Sequence, residues 1–178
     1  MTTAALSVEE TVLARLREIP DFPQPGVLFR DFTPLLRDGA ALRTVVDDVA
    51  ERYRGRVDAV IGLESRGFII GSAVAYTLGV GFVPVRKQGK LPAARVSAEY
   101  DLEYGRATAE MHVDALVGAH RVVIVDDVLA TGGTAAAACS LVEQVGGEVV
   151  AVDVLMEISA LGGRRSLENY EVHTIVSL

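Results

Sequence analysis

Residues 122–134 of this 178-residue chain read VVIVDDVLATGGT, and no other part of the sequence constrains the fold as strongly. Four aliphatic residues predict a buried strand over 122–125, and a turn over 126–133 then opens a small-residue helix that runs from Thr134 to about Val145. In open α/β sheets, ligands bind beyond the carboxyl ends of parallel strands. The two adjacent carboxylates of this turn are therefore predicted to lie at a binding edge.

The Thr-Gly-Gly-Thr sequence at 131–134 has the chemistry of a phosphate-binding turn. Glycines let backbone N–H groups close around an anion, the helix start adds partial positive charge, and the threonine hydroxyls can donate hydrogen bonds. Asp126 and Asp127 would repel a phosphate, so sugar hydroxyls, magnesium or a positive charge developing on a ribose carbon suit them better. A solvated acidic turn before a Gly-rich helix start is the structural alternative. Neither G-x-x-x-x-G-K-[ST] nor G-x-G-x-x-G occurs, so the common ATP and NAD motifs are missing from the sequence.

Outward from this stretch, helical and extended patterns alternate. They predict a capping-box helix from Ser7 whose spacing continues to Ile19, a proline-rich loop from Pro20 to Pro34, a helix over 40–54, a strand over 57–62, a helix over 67–78, a strand over 82–85, a basic loop over 86–95, paired strands over 96–102 and 106–112, and strands over 149–156 and 172–176. This order predicts an α/β fold in which helices flank a mainly parallel sheet. The length fits a single domain over 1–178.

Composition excludes several classes of protein. Half of the residues are hydrophobic, which is enough for a substantial core, and a net charge of −7 argues against nucleic acid as a partner. The single cysteine, Cys139, is typical of a reducing compartment, so we expect a cytoplasmic protein. The N-terminus has no signal-peptide pattern. The uncharged run over 67–85 is long enough to span a membrane, but four glycines and Pro84 favour a buried helix followed by a buried strand, and no membrane partner is expected.

Five ordered motifs resemble the type I phosphoribosyltransferase family, and within it the adenine-specific members. VVIVDDVLATGGT is similar to the family's recognition motif for ribose 5-phosphate and pyrophosphate, and FPQPGVLFRDFTPLL, GLESRGFIIG, VRKQGKLP and EYDLEYG follow the family's order and spacing. The resemblance implies the type I phosphoribosyltransferase fold, a mainly parallel twisted sheet with a small hood built from the N-terminal helix and loop at 1–35. It implies transfer of the phosphoribosyl group of phosphoribosyl pyrophosphate to N9 of adenine, giving AMP and pyrophosphate. It also implies a homodimer and Mg²⁺ carried mainly by the substrate pyrophosphate, with no direct protein ligand.

The resemblance also assigns residues to the phosphates and the ribose. Asp126 and Asp127 match the pair that holds the ribose hydroxyls, and their charge would favour an oxocarbenium-like transition state. The 5′-phosphate loop corresponds to Ala130, Thr131, Gly132, Gly133 and Thr134. The pyrophosphate side corresponds to Arg66, which follows a Glu64–Ser65 peptide that the family has in the cis form, and to Arg86, Lys87 and Lys90 of the basic loop. Without the resemblance, a solvated surface loop explains those three cations equally well.

Two further segments are assigned to the base. Backbone groups of Leu28 and Arg30 would bind the adenine edge, and Phe29 and Val128 would pack on its faces. Glu103 matches the family's general acid, which donates to N7 of adenine while the N9 proton leaves and therefore needs a raised pKa. Read alone, Glu103 is a hairpin-turn glutamate and the proline-rich loop is an arm that packs on the core or on a second subunit.

Two rival functions remain open from the sequence. One is the same transfer to another 6-substituted purine, which the hood motif disfavours. The other is a non-catalytic regulator that senses phosphoribosyl pyrophosphate and binds nucleic acid. The chain shows neither the additional length nor the basic charge that such a regulator needs.

Overall fold

A computed structural model describes residues 6–101 and 105–178 of the chain. The expected general acid, Glu103, lies outside the described residues. The strands are β1 (Arg17–Pro20), β2 (Leu28–Asp31), β3 (Ala59–Leu63), β4 (Gly81–Lys87), β5 (Arg95–Asp101), β6 (Arg106–His112), β7 (Arg121–Leu129), β8 (Glu148–Glu157) and β9 (Val172–Ser177). The α-helices are α1 (Val8–Leu13), α2 (Thr33–Arg37), α3 (Gly39–Tyr53), α4 (Arg66–Leu78) and α5 (Gly133–Gln144). Two 3₁₀ turns, Ser159–Leu161 and Gly163–Leu167, precede β9.

Seven of the strands form one sheet in the order β5-β6-β4-β3-β7-β8-β9. The pairs β4-β3, β3-β7, β7-β8 and β8-β9 are parallel, whereas the β5-β6 hairpin joins the edge of β4 in antiparallel fashion. Helices α4 and α5 make the crossovers that parallel pairing requires. The predicted α/β class with a mainly parallel sheet and flanking helices is confirmed.

Helices cover the sheet on both faces, and its central strands are therefore buried. All five residues of β3 are buried, and Val60 belongs to one apolar cluster while Ile61 belongs to the other. Helices α3 and α4 contribute to the first cluster and α5 to the second. A strand that packs against helices on both sides is a continuous apolar run, which is the pattern seen in the sequence.

The uncharged run over 67–85 forms most of α4 and β4, as predicted. None of the helices in the described part of the chain combines the length and apolar character of a membrane span.

The N-terminal prediction is wrong after the first helix. The Ser7–Glu10 capping box is confirmed, but α1 ends at Leu13, and β1 pairs with β2 in a separate two-stranded antiparallel sheet. Ion pairs join Arg17 to Asp31 and Arg30 to Glu18 across this sheet. Cross-strand pairing replaces the predicted helix here, and Leu16, just before β1, still packs on the core. The predicted loop over 20–34 accordingly contains β2 and the start of α2.

The predicted turn at Asp126 is also wrong, because β7 continues to Leu129. Its pairing with β3 stops at Val125, whereas its pairing with β8 continues to Leu129 opposite Glu157. The end of β7 therefore has one paired edge and one open edge. Helix α5 begins at Gly133, one residue before the predicted start.

Candidate active site

A cavity of about 750 Å³ opens where β3 and β7 end, beneath the β1-β2 sheet. Its lining residues are far apart in the sequence: they come from β2, the β3-α4 junction, the end of β4, the β5-β6 hairpin, the β7-α5 segment and the end of β8. Many of the predicted site residues line it: Leu28, Phe29, Arg30, Arg66, Lys87, Asp126, Asp127, Val128, Ala130 and Thr134. Thr131, Gly132 and Gly133 line a smaller adjoining cavity of about 70 Å³, together with Ala130 and Thr134.

The two adjacent aspartates have different electrostatic surroundings. Asp127 is 5% exposed, and the Nε of Arg66 lies 2.6 Å from its Oδ2. The Asp127 backbone N–H donates to Asp126 Oδ1 over 2.9 Å. Burial, and then the negative charge of Asp127, raises the pKa of Asp126 well above its usual value. The site therefore holds one carboxylate balanced by a cation and one in need of a proton, a hydrogen-bond donor or a positive charge.

Gly67 brings Arg66 close to the acidic pair. A Cβ at Gly67 would lie 2.7 Å from the Val125 carbonyl oxygen and 2.9 Å from Asp126 Oδ1. Only a glycine lets the first turn of α4 approach the end of β7 so closely. This close packing carries the guanidinium of Arg66 to Asp127.

The turn that precedes α5 is supported from behind by a second pair of glycines. Gly132 has φ +84°, and a Cβ there would lie 2.4 Å from the Gly163 carbonyl oxygen. A Cβ at Gly163 would lie 2.3 Å from the Ala130 carbonyl oxygen. The Ser166 hydroxyl also donates to the Thr131 carbonyl over 3.0 Å. Because backbone packs directly on backbone, residues 130–134 keep the curved shape that an anion-binding turn needs.

The basic loop contributes only one of its three predicted cations to the cavity. Lys87 lines it, whereas Arg86 and Lys90 do not. Arg86 donates through Nη2 to Glu64 Oε1 over 3.0 Å and through Nη1 to the Lys90 carbonyl over 3.1 Å. The Glu64–Ser65 peptide bond is cis, as the resemblance implies.

The β1-β2 sheet covers the cavity with an aromatic side chain. The Arg66 guanidinium carbon lies 5.4 Å from the centre of the Phe29 ring, and Phe22 packs edge-on against that ring at 5.1 Å between centres. Val128, from β7, lines the same cavity. Phe29 and Val128 are thus available to an aromatic ligand, and Arg66 links this region to the acidic pair.

A buried carboxylate anchors β2 to the rest of the chain. Asp31 is 6% exposed and accepts hydrogen bonds from the Thr33 backbone N–H over 2.9 Å and the Thr33 hydroxyl over 2.7 Å. Burial alone would raise the pKa of Asp31, but the Thr33 hydrogen bonds and the charge of Arg17 outweigh it and lower that pKa to about 2. Asp31 is therefore ionised and held in place, directly after the residues that line the cavity.

Among residues 6–101 and 105–178, no group of three or more His, Cys, Asp or Glu side chains is arranged to hold a metal ion. The carboxylates that line the cavity are those of Glu64, Asp126 and Asp127, and two of them are already paired, Glu64 with Arg86 and Asp127 with Arg66. A divalent cation here would have to take most of its oxygen ligands from a bound substrate.

Sequence reasoning missed several residues of the cavity. Glu64 and Ser65 precede Arg66, Tyr100 and Ala107 come from the β5-β6 hairpin, and Met156 and Ile158 come from the end of β8. Met156 is only 1% exposed, so it belongs to the apolar core as well as to the cavity wall. The available signal was position, because β8 ends at the same edge of the sheet as β7.

Comparison with known proteins identifies close relatives. The sequence profile described as "Phosphoribosyl transferase domain" matches residues 36–176. The chain is 53% identical over 171 residues to the adenine phosphoribosyltransferase of Salinispora tropica, covering 95% of this chain and 90% of that protein. It is 55% identical over 162 residues to that of Roseiflexus castenholzii, covering 90% and 94%.

Solved structures give the same picture. The adenine phosphoribosyltransferase of Thermoanaerobacter pseudethanolicus superposes with a TM-score of 0.90 at 47% identity, covering 96% of this chain and 99% of that one. The Saccharomyces cerevisiae enzyme, complexed with D-2,5-dideoxy-2,5-imino-altritol 1,6-bisphosphate and adenine, superposes with a TM-score of 0.89 at 40% identity, covering 95% and 98%.

Proposed function

Because this chain belongs to the phosphoribosyl transferase domain family, and adenine phosphoribosyltransferases are among its relatives, we propose that it transfers the phosphoribosyl group of phosphoribosyl pyrophosphate to N9 of adenine. The products are AMP and pyrophosphate, so the protein is an enzyme of purine salvage. One observation carries the proposal: the acidic pair lines the same cavity as Phe29 and Val128, and a smaller cavity formed by residues 130–134 adjoins it.

The acidic pair suits the ribose. In the reaction the bond from C1′ to the pyrophosphate oxygen breaks, the bond from C1′ to N9 forms, and positive charge develops on the sugar between these events. Asp126 and Asp127 would accept hydrogen bonds from the ribose hydroxyls and stabilise that charge. The raised pKa of Asp126 favours this role, because a hydroxyl donor and a cationic carbon both relieve the cost of its ionised form.

The phosphate groups would lie on opposite sides of the ribose. Residues 130–134 would bind the 5′-phosphate through backbone N–H groups and threonine hydroxyls. Arg66 and Lys87 would bind the pyrophosphate, whose charge must be neutralised as it leaves. Magnesium bound to the substrate's diphosphate would supply further neutralisation. Arg86 and Lys90 would act indirectly, because the hydrogen bond between them holds the loop that begins at Lys87.

The base would enter beneath the β1-β2 sheet. Phe29 and Val128 supply apolar faces for the ring, and the backbone of Leu28 and Arg30 would pair with the adenine edge. A backbone N–H and C=O fixed in a short strand can distinguish an amino from an oxo group, because the wrong group leaves a buried polar atom unpaired. This argument favours adenine over hypoxanthine, guanine and xanthine.

Glu103 completes the proposal on the strength of the family resemblance. Its carboxyl would donate a proton to N7 while N9 loses its own to solvent water, which makes N9 the better nucleophile.

The resemblance also supports a homodimer, and the cysteine content supports a cytoplasmic location. Cys139, the single cysteine of the sequence, is fully buried as a thiol, which suits a reducing compartment.

Adenine-dependent release of pyrophosphate tests the proposed chemistry. Initial rates with magnesium and phosphoribosyl pyrophosphate should rise with adenine in the wild-type protein. They should fall at least about tenfold in Asp127→Asn with the circular dichroism spectrum unchanged, because the ribose loses a charged acceptor. Unchanged turnover in Asp127→Asn would remove that residue from the mechanism. No turnover in the wild type, together with tight phosphoribosyl pyrophosphate binding by calorimetry, would favour a sensor.

A further inference from the structure

Glu64 lies at the mouth of the cavity and has no role in the chemistry described above. It follows the last residue of β3, where the β3-β4 pairing ends at Leu63 opposite Val85. Its carboxylate accepts from Arg86 Nη2 through Oε1 and from the Lys87 backbone N–H through Oε2, each over 3.0 Å. The side chain therefore extends the connection between the two strands by two residues, to the root of the basic loop.

These contacts give the two neighbouring cations different surroundings. Arg86 is occupied by Glu64, by the Lys90 carbonyl and by the Phe68 ring, whose centre lies 5.9 Å from the guanidinium carbon. Lys87 lines the cavity, and within the described part of the chain no hydrogen bond or ion pair is found for its ammonium group. Glu64 thus neutralises the cation that faces away and fixes the backbone of the cation that faces the site.

A second carboxylate holds the remainder of the loop independently. Glu110 is 2% exposed, accepts from the Gly89 backbone N–H over 2.9 Å, and pairs with Arg95 at 3.0 Å. Loss of Glu64 would therefore loosen the root of the loop without releasing its far end. The effect should concentrate on Lys87.

We propose that Glu64 is a positioning residue that sets the Lys87 ammonium for the pyrophosphate end of the substrate. This inference rests on the proposed function, because it takes the charged group near Lys87 to be a diphosphate. Preorganisation is the physical reason: a flexible lysine that is already fixed at its backbone loses less conformational freedom when an anion binds.

The same strand offers a matched control. Asp58 precedes β3 as Glu64 follows it, and it accepts from the Arg121 backbone N–H and from Arg121 Nη2, each over 2.8 Å. Each carboxylate thus joins a backbone N–H and one guanidinium of a neighbouring strand or its end, and Asp58 also accepts from the His120 backbone N–H over 3.2 Å. Asp58 lies at the opposite end of the strand from the cavity. Glu64→Gln and Asp58→Asn therefore remove similar contacts, and only the first lies at the site.

Calorimetric titration with magnesium pyrophosphate provides a readout that does not require turnover. We expect Glu64→Gln to weaken binding about tenfold and to raise the KM for phosphoribosyl pyrophosphate similarly, with the KM for adenine unchanged. Glu64→Asp, which keeps the charge at shorter reach, should recover part of the affinity. Asp58→Asn should bind magnesium pyrophosphate with wild-type affinity, even if its urea midpoint falls as far as that of Glu64→Gln.

A double-mutant cycle identifies the route of the effect. If Glu64 acts through Lys87, Glu64→Gln should change pyrophosphate affinity less than twofold in a Lys87→Met background. A full additional loss in that background, equal losses in Glu64→Gln and Asp58→Asn, or wild-type affinity in Glu64→Gln would each overturn the inference. These results differ from failure of the proposed function, in which the wild-type protein itself neither binds pyrophosphate nor releases it.

Discussion

At Asp126, a feature of the candidate site lowers the stability of the folded protein. Burial and the neighbouring Asp127 raise the pKa of its carboxyl, so the ionised form is costly in the folded protein. Above the raised pKa this cost reduces stability. As the pH falls below that pKa the folded protein takes up a proton and the cost shrinks, and it is gone once the pH is below the ordinary pKa of an aspartate.

Asp126→Asn should therefore stabilise the protein while it slows the enzyme. We expect a gain on the order of 1 kcal/mol in the free energy of unfolding at neutral pH, because the charge is lost and the amide oxygen can still accept from the Asp127 N–H. Urea titrations at neutral and mildly acidic pH should show the gain shrinking in acid. Turnover should fall at least about tenfold. A less stable variant with full activity would contradict this account.

The pKa of Asp31 is shifted in the opposite direction to that of Asp126. Its pKa is lowered from 3.8 to about 2, so its ionised form stabilises the fold above the ordinary value, and this contribution is lost as the pH falls towards about 2. Asp31→Asn should cost about 1–2 kcal/mol at neutral pH, a range reduced for the solvent exposure of Arg17. Since Asp31 anchors β2, the KM for adenine should also rise.

The exposed Glu51–Arg54 pair on α3 supplies the control for Asp31. Glu51→Gln should change the unfolding free energy by less than about 0.5 kcal/mol. Equal losses in the two variants would mean that Asp31 is no anchor.

Among the elements, the turn before α5 depends on a partner distant in sequence. A Cβ at Gly163 would meet the Ala130 carbonyl at 2.3 Å, so Gly163→Ala must displace residues 130–134. We expect roughly a tenfold higher KM for phosphoribosyl pyrophosphate and a lower melting temperature. Gly39→Ala, at the start of α3 with nothing within 4 Å of the added atom, should change neither. Normal kinetics in Gly163→Ala would show that the turn is not shaped from behind.

The same elements show what the sequence can predict. The parallel strands and helices α3, α4 and α5 could be predicted from apolar runs and periodicity, because the apolar side chains that bury each element lie within its own sequence. By contrast, β1 depends on ion pairs to β2 that lie more than ten residues away, and the end of β7 depends on β8. Local patterns contain no information on such partners.

The site was predictable to a similar extent. The aspartate pair, the glycine-rich turn at 130–134 and Arg66 belong to motifs that are recognisable in the sequence alone, and they line the main cavity or the smaller one beside it. Arg86 and Lys87 are adjacent cations, and the sequence gives no reason to treat them differently. In the structure Glu64 pairs with Arg86, whereas Lys87 lines the cavity. Gly163 was equally hidden, since its importance is a contact with Ala130.

For the molecule as a whole, we expect two copies in solution. The family resemblance implies a homodimer, and Ile69 and Tyr76 on α4 are 49% and 89% exposed, which leaves apolar surface that a second copy could cover. Light scattering after gel filtration should give about twice the chain mass of 18.9 kDa. A particle of 18.9 kDa at assay concentrations would rule the dimer out.

In the whole molecule, the order of the seven-stranded sheet brings the acidic pair, residues 130–134 and Lys87 to one edge, and the separate β1-β2 sheet covers that edge. A single competition reaction tests this account: adenine, hypoxanthine, guanine and xanthine at equal concentration, with magnesium and limiting phosphoribosyl pyrophosphate, and the nucleotides identified by mass spectrometry. The account predicts AMP as the dominant nucleotide, with pyrophosphate released in equal amount. A different dominant nucleotide would contradict the base assignment, and no nucleotide at all would contradict the enzyme.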